Sequence, residues 1–297
     1  MYIKDMFRTK EVVYSFEIFP PKTASSVETI YHTLDALHDL KPDYISVTYG
    51  AGGSISDNRT VELSSLVKNK YGIESLAHLT CISSSRATID AILQQLKNAG
   101  VENVLALRGD VPLNGKAAGE FQYASELIGY IREHHGFGIA AACYPEGHID
   151  APSLEQDLEA LKIKVDAGAD YLISQLFFDN NYFYQFLERA EQKGIRIPIQ
   201  AGIMPVANTK QIERIVSLCG AAIPRKLLTI MERYEHDKTA LRDAGIDYAV
   251  EQILDLISHG VQGIHLYTMN NPYIARKITA NISPLLDAKN RSCNSHE

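Results

Sequence analysis

Glu17 is the residue of this chain that best fits acid–base chemistry. It lies in the segment Tyr14–Pro21, where aromatic, apolar and proline side chains surround a single carboxyl group. Loss of hydration favours the protonated form of a carboxyl group, which can then act as a general acid near neutral pH. A buried glutamate paired with an arginine or lysine would have the same local sequence, so both interpretations stay open at this point.

The triplet Arg108-Gly109-Asp110 is a second candidate, directly after the apolar run Val104–Leu107. A guanidinium group offers a planar fork for a carboxylate or phosphate, and glycine lets the backbone approach a ligand closely. The alternative interpretation is a salt bridge followed by a turn.

Two histidines and a glutamine complete the polar candidates. No carboxylate-rich cluster surrounds His78 or His148 in the sequence, so we expect no metal site. We interpret both as donors to a polar ligand or as hydrogen-bonded core residues. Gln175 carries an amide that can donate to and accept from the edge of a heterocycle. The neighbouring pair Phe177-Phe178 fits the core better than a stacking site.

These candidates lie near the ends of eight short apolar runs, together with Thr48, Tyr144, Met204 and Tyr267. In a (β/α)8 barrel the carboxyl ends of all strands meet at one mouth, where the active site lies. The predicted strands are Val12–Ile18, Tyr44–Tyr49, Ser75–Thr80, Val104–Arg108, Ile139–Tyr144, Tyr171–Leu176, Ile197–Ile203 and Gly263–Thr268.

Apolar residues between the runs recur with a period near 3.6, which predicts helices. We interpret Pro224–Tyr234 as an extra helix before strand eight. The expected fold is therefore α/β, a single (β/α)8 TIM barrel in which residues 1–297 form one catalytic domain. The other predicted helices are Val27–Leu40, Arg59–Tyr71, Thr88–Ala99, Phe121–His134, Ser153–Ala167, Tyr182–Lys193, Lys210–Leu218, Ala240–His259 and Pro272–Leu286.

A doubly wound open sheet is the alternative fold, and it would usually place a glycine-rich phosphate turn after its first strand. Here Phe19-Pro20-Pro21-Lys22 follows that strand instead. The segment Gly50–Gly53 follows the second strand, but Ile55 stands where the last glycine of the dinucleotide motif belongs.

Composition is typical of an ordinary globular enzyme, with 45% apolar and 22% charged residues. The net charge of −7 argues against a nucleic-acid partner. No apolar run approaches the length of a membrane span, and Met1–Lys10 lacks the apolar centre of a signal peptide. The four cysteines form no pair with metal-ligand spacing, so we expect buried thiols in a reducing, cytoplasmic compartment.

The whole chain resembles the bacterial type of the methylenetetrahydrofolate reductase family. The segments that carry the resemblance occur one per predicted strand and follow the order that the family shows. The segments are Ser15–Thr23, Ser46–Ala51, Ala77–Cys81, Leu107–Asp110, Ala142–His148, Gln175–Asp179, Gly202–Val206 and His265–Asn270.

The resemblance implies a barrel that holds FAD non-covalently and reduces 5,10-methylenetetrahydrofolate to 5-methyltetrahydrofolate for methionine synthesis. It implies NADH or NADPH as reductant, in a ping-pong arrangement at one face of the flavin, and a homo-oligomer. In this resemblance Glu17 is the general acid that helps to open the five-membered ring of the folate. Asp110 lies near flavin and folate and stabilises a cation there, and Gln175 contacts folate and nicotinamide.

The resemblance also assigns binding roles. Glu17, Gln175, Gln211 and Asn271 would bind the folate. The FAD site would consist of Thr48, Tyr49, Ala51, His78, Arg108, Gly109, Asp110, Tyr123, Ala124, Tyr144, His148, Asp157 and Lys164.

The chain departs from the family pattern at four positions. Ala160 and Ile163 stand where some relatives carry Asn and Arg for the cofactor, and Asn271 stands where many carry an Arg that reaches the folate. Ile215 replaces an aromatic residue beside the nicotinamide. A flavin-free, pterin-binding barrel that acts as a folate-linked methyltransferase or lyase is the alternative function.

Overall fold

The computed structural model describes residues 1–20, 27–49, 59–110 and 119–293. Within these ranges eight parallel strands form a closed barrel in which each strand pairs with the next and β8 pairs with β1, as the sequence predicts. The strands are β1 Val13–Ile18, β2 Tyr44–Val47, β3 Glu74–Thr80, β4 Asn103–Leu107, β5 Gly138–Cys143, β6 Tyr171–Ser174, β7 Ile199–Ile203 and β8 Gly263–Tyr267.

Side chains of β1 alternate between the barrel interior and the surrounding helices. Val13 packs with the residues that fill the interior, Ser15 bonds to an inward-facing histidine, and Glu17 lines a cavity at the mouth. Phe16 and Ile18 belong instead to the apolar layer between strands and helices. The expectation that aromatic neighbours surround the Glu17 carboxyl holds only for Phe19, which lines the same cavity, because the pleat turns Tyr14 and Phe16 to the opposite face of the strand.

Helices cover the outside of the barrel, as predicted. Within the described ranges the extra helix before strand eight is confirmed as α9, between α8 and α10. The helices are α1 Met6–Thr9, α2 Val27–His38, α3 Arg59–Asn69, α4 Arg86–Asn98, α5 Ala124–His134, α6 Leu154–Asp166, α7 Asn180–Gln192, α8 Thr209–Cys219, α9 Arg225–Arg233, α10 Lys238–Ser258 and α11 Pro272–Cys293. In this part of the chain no helix has the length and apolar character to cross a membrane.

Helix starts follow from polar caps. The Ser153 hydroxyl accepts the N–H of Gln156 at 3.3 Å, which is the N-cap bond that the sequence indicates for α6. Helices α4 and α7 begin two residues earlier than predicted, because Ser85 and Asp179 cap them and the apolar period starts only in the second turn.

The first ten residues close the floor of the barrel, which sequence analysis did not anticipate. A 3-10 turn, Ile3–Asp5, leads into the short helix α1. The amide of Ile3 donates to the Asn103 side chain at 2.9 Å, and the Phe7 ring centroid lies 5.2 Å from that of Tyr171. The segment thereby seals the N-terminal ends of the strands, opposite the mouth.

Candidate active site

A cavity of about 590 Å³ opens at the carboxyl ends of the strands. This volume is within the range of small-molecule and cofactor sites. Most of the candidates at the predicted strand ends come together here. The predicted residues that line it are Glu17, Thr48, Tyr49, His78, Arg108, Gly109, Asp110, Tyr144, His148, Gln175, Met204 and Tyr267.

The Glu17 carboxyl lies between two imidazole rings at the base of the cavity. Its Oε2 is 3.5 Å from Nε2 of His78 on β3 and 3.6 Å from Nε2 of His265 on β8. The glutamate side chain is 19% exposed, so it can reach a ligand in the cavity. The arginine or lysine partner of the alternative interpretation is not found among the described contacts of this carboxyl.

His78 is a neutral neighbour of that carboxyl. Burial lowers the pKa of His78 to about 4, Glu17 opposes this shift, and His265 adds to it. Within the described residues its Nε2 has no hydrogen-bond partner, although it is buried. An unpaired buried polar atom is costly in a finished core and is a common feature of sites that bind a ligand.

His265 is a site residue that sequence reasoning missed. Its Nδ1 lies 2.7 Å from the Ser15 hydroxyl, and its Nε2 lies 3.4 Å from the Ser46 hydroxyl. The Gln200 amide donates to Ser15 at 3.3 Å and accepts from the Tyr44 hydroxyl. A polar network therefore fills the barrel below the carboxyl. Side chains alternate along a strand with a period of two, which places His265 on the same face as Tyr267 and could have indicated its position in the site.

Gln175 lines the cavity. Its Oε1 accepts the backbone N–H of Leu176 at 2.9 Å, which uses one of the two lone pairs of that oxygen. The NH2 group and the second lone pair remain for a ligand, so the donor and acceptor roles that the sequence indicates both stay predictions.

Arg108 forms the salt bridge of the alternative interpretation and also lines the cavity, and its role toward a ligand stays a prediction. Its guanidinium donates to Asp150 at 2.9 Å, and this bond lowers the pKa of the Asp150 carboxyl. Gly109 has φ +84°, and a Cβ there would lie 3.0 Å from Thr80 Cβ. The turn therefore requires glycine and leaves backbone exposed at the cavity wall.

Lys164 and Asp157 lie on α6, behind the wall that β5 forms. The Lys164 ammonium donates to the Ala142 carbonyl at 3.0 Å and is 5.6 Å from the centre of the Tyr144 ring. Burial lowers the pKa of Lys164 and raises that of Asp157, and each group partly offsets the shift of the other. His148 lies near both, and burial lowers its pKa as well.

The remaining predicted residues lie at the rim or beyond it. Tyr123 is 60% exposed and Ala124 is buried, both at the start of α5. Gln211 is exposed in the first turn of α8, four residues before Ile215, which lines the cavity. Ala51 lies outside the described residues.

Asn271 has a structural role at the mouth. Its side-chain oxygen accepts the backbone N–H groups of Tyr273 at 3.1 Å and Ile274 at 3.3 Å. These are the bonds of an N-cap, here at the start of α11. The predicted folate contact would therefore have to come from the amide nitrogen of this residue.

An inward-facing carboxyl group at the base of a cavity, at the carboxyl ends of the strands of a (β/α)8 barrel, is the arrangement of an enzyme active site. The family model described as methylenetetrahydrofolate reductase matches residues 2–283. The chain belongs to this family, which confirms the resemblance seen in the sequence.

Several relatives are similar over most of this chain. "5,10-Methylenetetrahydrofolate reductase" of Pectobacterium carotovorum is 36% identical over 89% of this chain and 88% of the relative, and that of Escherichia coli is 36% identical over 88% and 87%. "Methylenetetrahydrofolate reductase (NADH) 1" of Arabidopsis thaliana is 37% identical over 97% of this chain and 51% of the relative. The chain thus spans about half the length of the plant relatives that it matches.

Among solved structures, an uncharacterized protein from Clostridium thermocellum superposes with a TM-score of 0.70 at 14% sequence identity, over 96% of this chain and 98% of that one. That protein is described as binding two copies of 5-methyl-5,6,7,8-tetrahydrofolic acid. At this level of identity the likeness concerns the fold.

Proposed function

We propose that this chain reduces 5,10-methylenetetrahydrofolate to 5-methyltetrahydrofolate with electrons from NADH or NADPH, through bound FAD. The observation that carries the proposal is the placement of Glu17. Its carboxyl lies at the base of a cavity large enough for a flat heterocycle, with the Gln175 amide and Asp110 in the same lining. Membership of the methylenetetrahydrofolate reductase family supports the same reaction.

The residues on the β2–β5 side of the mouth fit the proposed FAD. Thr48, Tyr49 and Tyr144 supply hydroxyl groups beside a cavity wall that also contains apolar side chains. Arg108 contributes a positive charge at the rim, and the backbone turn at Gly109 lets a phosphate or ring edge come close. FAD, when bound, would take a hydride from the nicotinamide and pass it to the folate.

Glu17 would supply the proton that opens the five-membered ring of the folate. The neutral state of His78 suits this role, because an imidazole that stays uncharged does not hold the carboxyl in a permanent ion pair. Gln175 would donate its NH2 to an acceptor on the pterin or nicotinamide edge. Asp110 would stabilise the positive charge that develops on the opened ring.

One cavity would serve both substrates in turn. Glu17 and Gln175 line the same space as the proposed flavin-binding residues, so nicotinamide and folate would approach from one side. This arrangement supports a ping-pong sequence in which the oxidised nicotinamide leaves before the folate enters. A reduced nicotinamide, NADH or NADPH, as the electron donor, assembly into a homo-oligomer and a cytoplasmic location stay predictions.

The test measures both half-reactions separately under anaerobic conditions. The purified protein should show flavin absorbance, lose it on addition of NADH or NADPH, and regain it on addition of 5,10-methylenetetrahydrofolate. A protein that binds reduced folates but takes up no flavin would contradict this proposal. It would favour the flavin-free methyltransferase or lyase.

A further inference from the structure

The turn after β8 holds the end of β1 at the cavity. Pairing between the two strands ends at Glu17 and Tyr267. Just beyond, Thr268 donates to the Glu17 carbonyl twice, from its backbone N–H at 3.3 Å and from its hydroxyl at 2.6 Å. The backbone of the proposed acid is therefore fixed by a residue 251 positions away in the chain.

Asn270 continues this contact with its side chain. Its Nδ2 donates to the Phe19 carbonyl at 2.8 Å, and its Oδ1 accepts the Phe19 N–H at 3.0 Å. One amide side chain thus pairs with both backbone groups of Phe19, as a neighbouring strand would. Glu17 and Phe19 both line the cavity, on either side of Ile18.

The turn that makes these bonds is strained. Met269 and Asn270 both have φ of 52°, in the left-handed region that is unfavourable for residues with a Cβ. Asparagine tolerates this conformation better than most residues, whereas methionine does not. Thr268 holds the turn, since its hydroxyl accepts the Asn270 N–H at 3.2 Å and its carbonyl accepts the Asn271 N–H at 2.9 Å. Strain of this kind is typical of functional sites.

The side chain of Glu17 has a looser hold than its backbone. Among the described residues its contacts with ionisable groups are the two imidazole nitrogens at 3.5 and 3.6 Å, both longer than an ordinary N–H···O bond. The depth of the carboxyl in the cavity then depends on where β1 ends. On one side β2 holds that point, since the Thr48 N–H donates to the Ile18 carbonyl at 3.0 Å, and on the other side the turn after β8 holds it.

We infer that Asn270 is a positioning residue for the proton-delivering half-reaction, acting through Phe19 and the backbone of Glu17. This inference rests on the proposed function for its kinetic consequence. A misplacement of about 1 Å at a reacting group can cost up to about a hundredfold in rate, so loss of the clamp should slow folate reduction in particular.

The decisive variant is Asn270→Gly. Glycine accepts a φ of 52° without strain, so this change keeps the turn and removes only the amide clamp. The matched control is Lys41→Gly. Lys41 has a φ of 51° but lies between α2 and β2, at the opposite end of the barrel.

Both variants should bind FAD and undergo flavin reduction by NAD(P)H within a few-fold of the parent. For Asn270→Gly, the limiting rate of flavin reoxidation by 5,10-methylenetetrahydrofolate should fall about tenfold or more, with a half-saturating folate concentration within about threefold. Lys41→Gly should match the parent in both half-reactions. Equal losses in the two half-reactions, or equal behaviour of the two variants, would overturn the inference.

Hydrogen exchange on the ligand-free protein gives an independent readout. The Phe19 amide should exchange about tenfold faster in Asn270→Gly, because it loses its acceptor, and should be unchanged in Lys41→Gly. If the parent itself fails to reoxidise its flavin with folate, the proposed function fails. The exchange measurement then still decides whether Asn270 holds the end of β1, and unaltered exchange would refute that role.

Discussion

Glu17 at the mouth of the barrel and the carboxylates at its floor differ in how fully they are paired. At the N-terminal face, Asp170 accepts from Lys4 at 3.2 Å and from Arg132 at 2.9 Å. Glu74, also there, accepts from Lys68 at 2.6 Å. At the C-terminal mouth, the described ionisable partners of Glu17 are two histidines at 3.5 and 3.6 Å.

This difference separates stability from chemistry. The carboxylates of Asp170 and Glu74 at the floor are paired with cations, so they stabilise the fold and are not available to a ligand. The carboxyl of Glu17 and the imidazole of His78 at the mouth lack close partners and are available to a ligand. The lowered pKa of His78 is typical of such functional sites. Substitutions at the floor should therefore change stability, and substitutions at the mouth should change rates.

Glu17→Gln is expected to have the largest effect on rate. Glutamine keeps the size and polarity of the side chain but cannot supply a proton. Flavin reduction by NAD(P)H should stay within a few-fold of the parent. Reoxidation by 5,10-methylenetetrahydrofolate should fall by about 10²–10⁴, the contribution of a positioned acid. Anaerobic stopped-flow spectroscopy on each half-reaction measures both rates.

Glu62→Gln on the exposed face of α3 is the control for the same chemical change. It should leave both half-reactions unchanged. A similar loss in both half-reactions of Glu17→Gln would indicate a structural glutamate. No loss in either would remove Glu17 from the mechanism.

The sequence predicted the barrel and most of the mouth for the same physical reason. Buried parallel strands read as continuous apolar runs, and the residues that end such runs meet at one face. The ends of the runs point to Glu17, His78, Arg108 and Gln175 as candidates from residue order alone. They do not reveal contacts between residues that are distant in the chain, such as that of Asn270 with Phe19.

Strand alternation and helix capping predict further features of the site that the ends of the apolar runs do not reveal. His265 and Ser15 lie two positions before Tyr267 and Glu17, so strand alternation predicts that they face inward, but they do not end their runs. Asn271 precedes Pro272, a typical sequence for an N-cap followed by proline in the first turn. The resemblance to the family implies a ligand contact at Asn271, whereas the residue order predicts the cap that the structure shows.

His78 links the mouth to stability through pH. Its folded-state pKa of about 4 is below the unfolded value near 6.5, so the unfolded state binds this proton first as pH falls. Stability is therefore lost on acidification, by about 2 kcal/mol between pH 7 and pH 4.5. In His78→Gln this part of the pH dependence should disappear. Denaturant unfolding at several pH values measures it.

His236→Gln provides the matched comparison, because His236 is exposed between α9 and α10. Its unfolding curve should keep the pH dependence of the parent. If His78→Gln keeps that dependence as well, burial does not lower the pKa of His78 in the folded protein.

Asp170→Ala tests the floor. The Asp170 carboxylate accepts from Lys4, from Arg132 and from the backbone N–H of Ile139 at 2.8 Å, so its removal leaves a buried amide and two cations without their partner. We expect a loss of about 2 kcal/mol in the free energy of unfolding. The two half-reaction rates, measured on folded protein, should not change.

Asp166→Ala is the control at a surface pair. Asp166 is 61% exposed and pairs with Lys162 one turn away on α6, so its loss should cost about 0.5 kcal/mol or less. A fall in either half-reaction of folded Asp170→Ala would contradict the division between the two faces.

Asn271→Arg should change both stability and substrate binding, although Asn271 is a single residue at the mouth. Its effects should be the smallest of those predicted. Asn271 lies at the mouth but its oxygen caps α11, so an arginine there removes the cap and should destabilise the protein by about 1 kcal/mol. The new cation should hold the glutamate tail of the folate and lower its Michaelis constant a few-fold at an unchanged maximal rate, the mark of uniform binding.

Asn271→Asp separates the two effects, because aspartate keeps the cap and brings a negative charge. It should preserve the unfolding temperature and leave the Michaelis constant unchanged or raised. An arginine variant with an unchanged Michaelis constant would mean that the tail does not pass this point, and the mouth would then carry one more residue that serves stability alone.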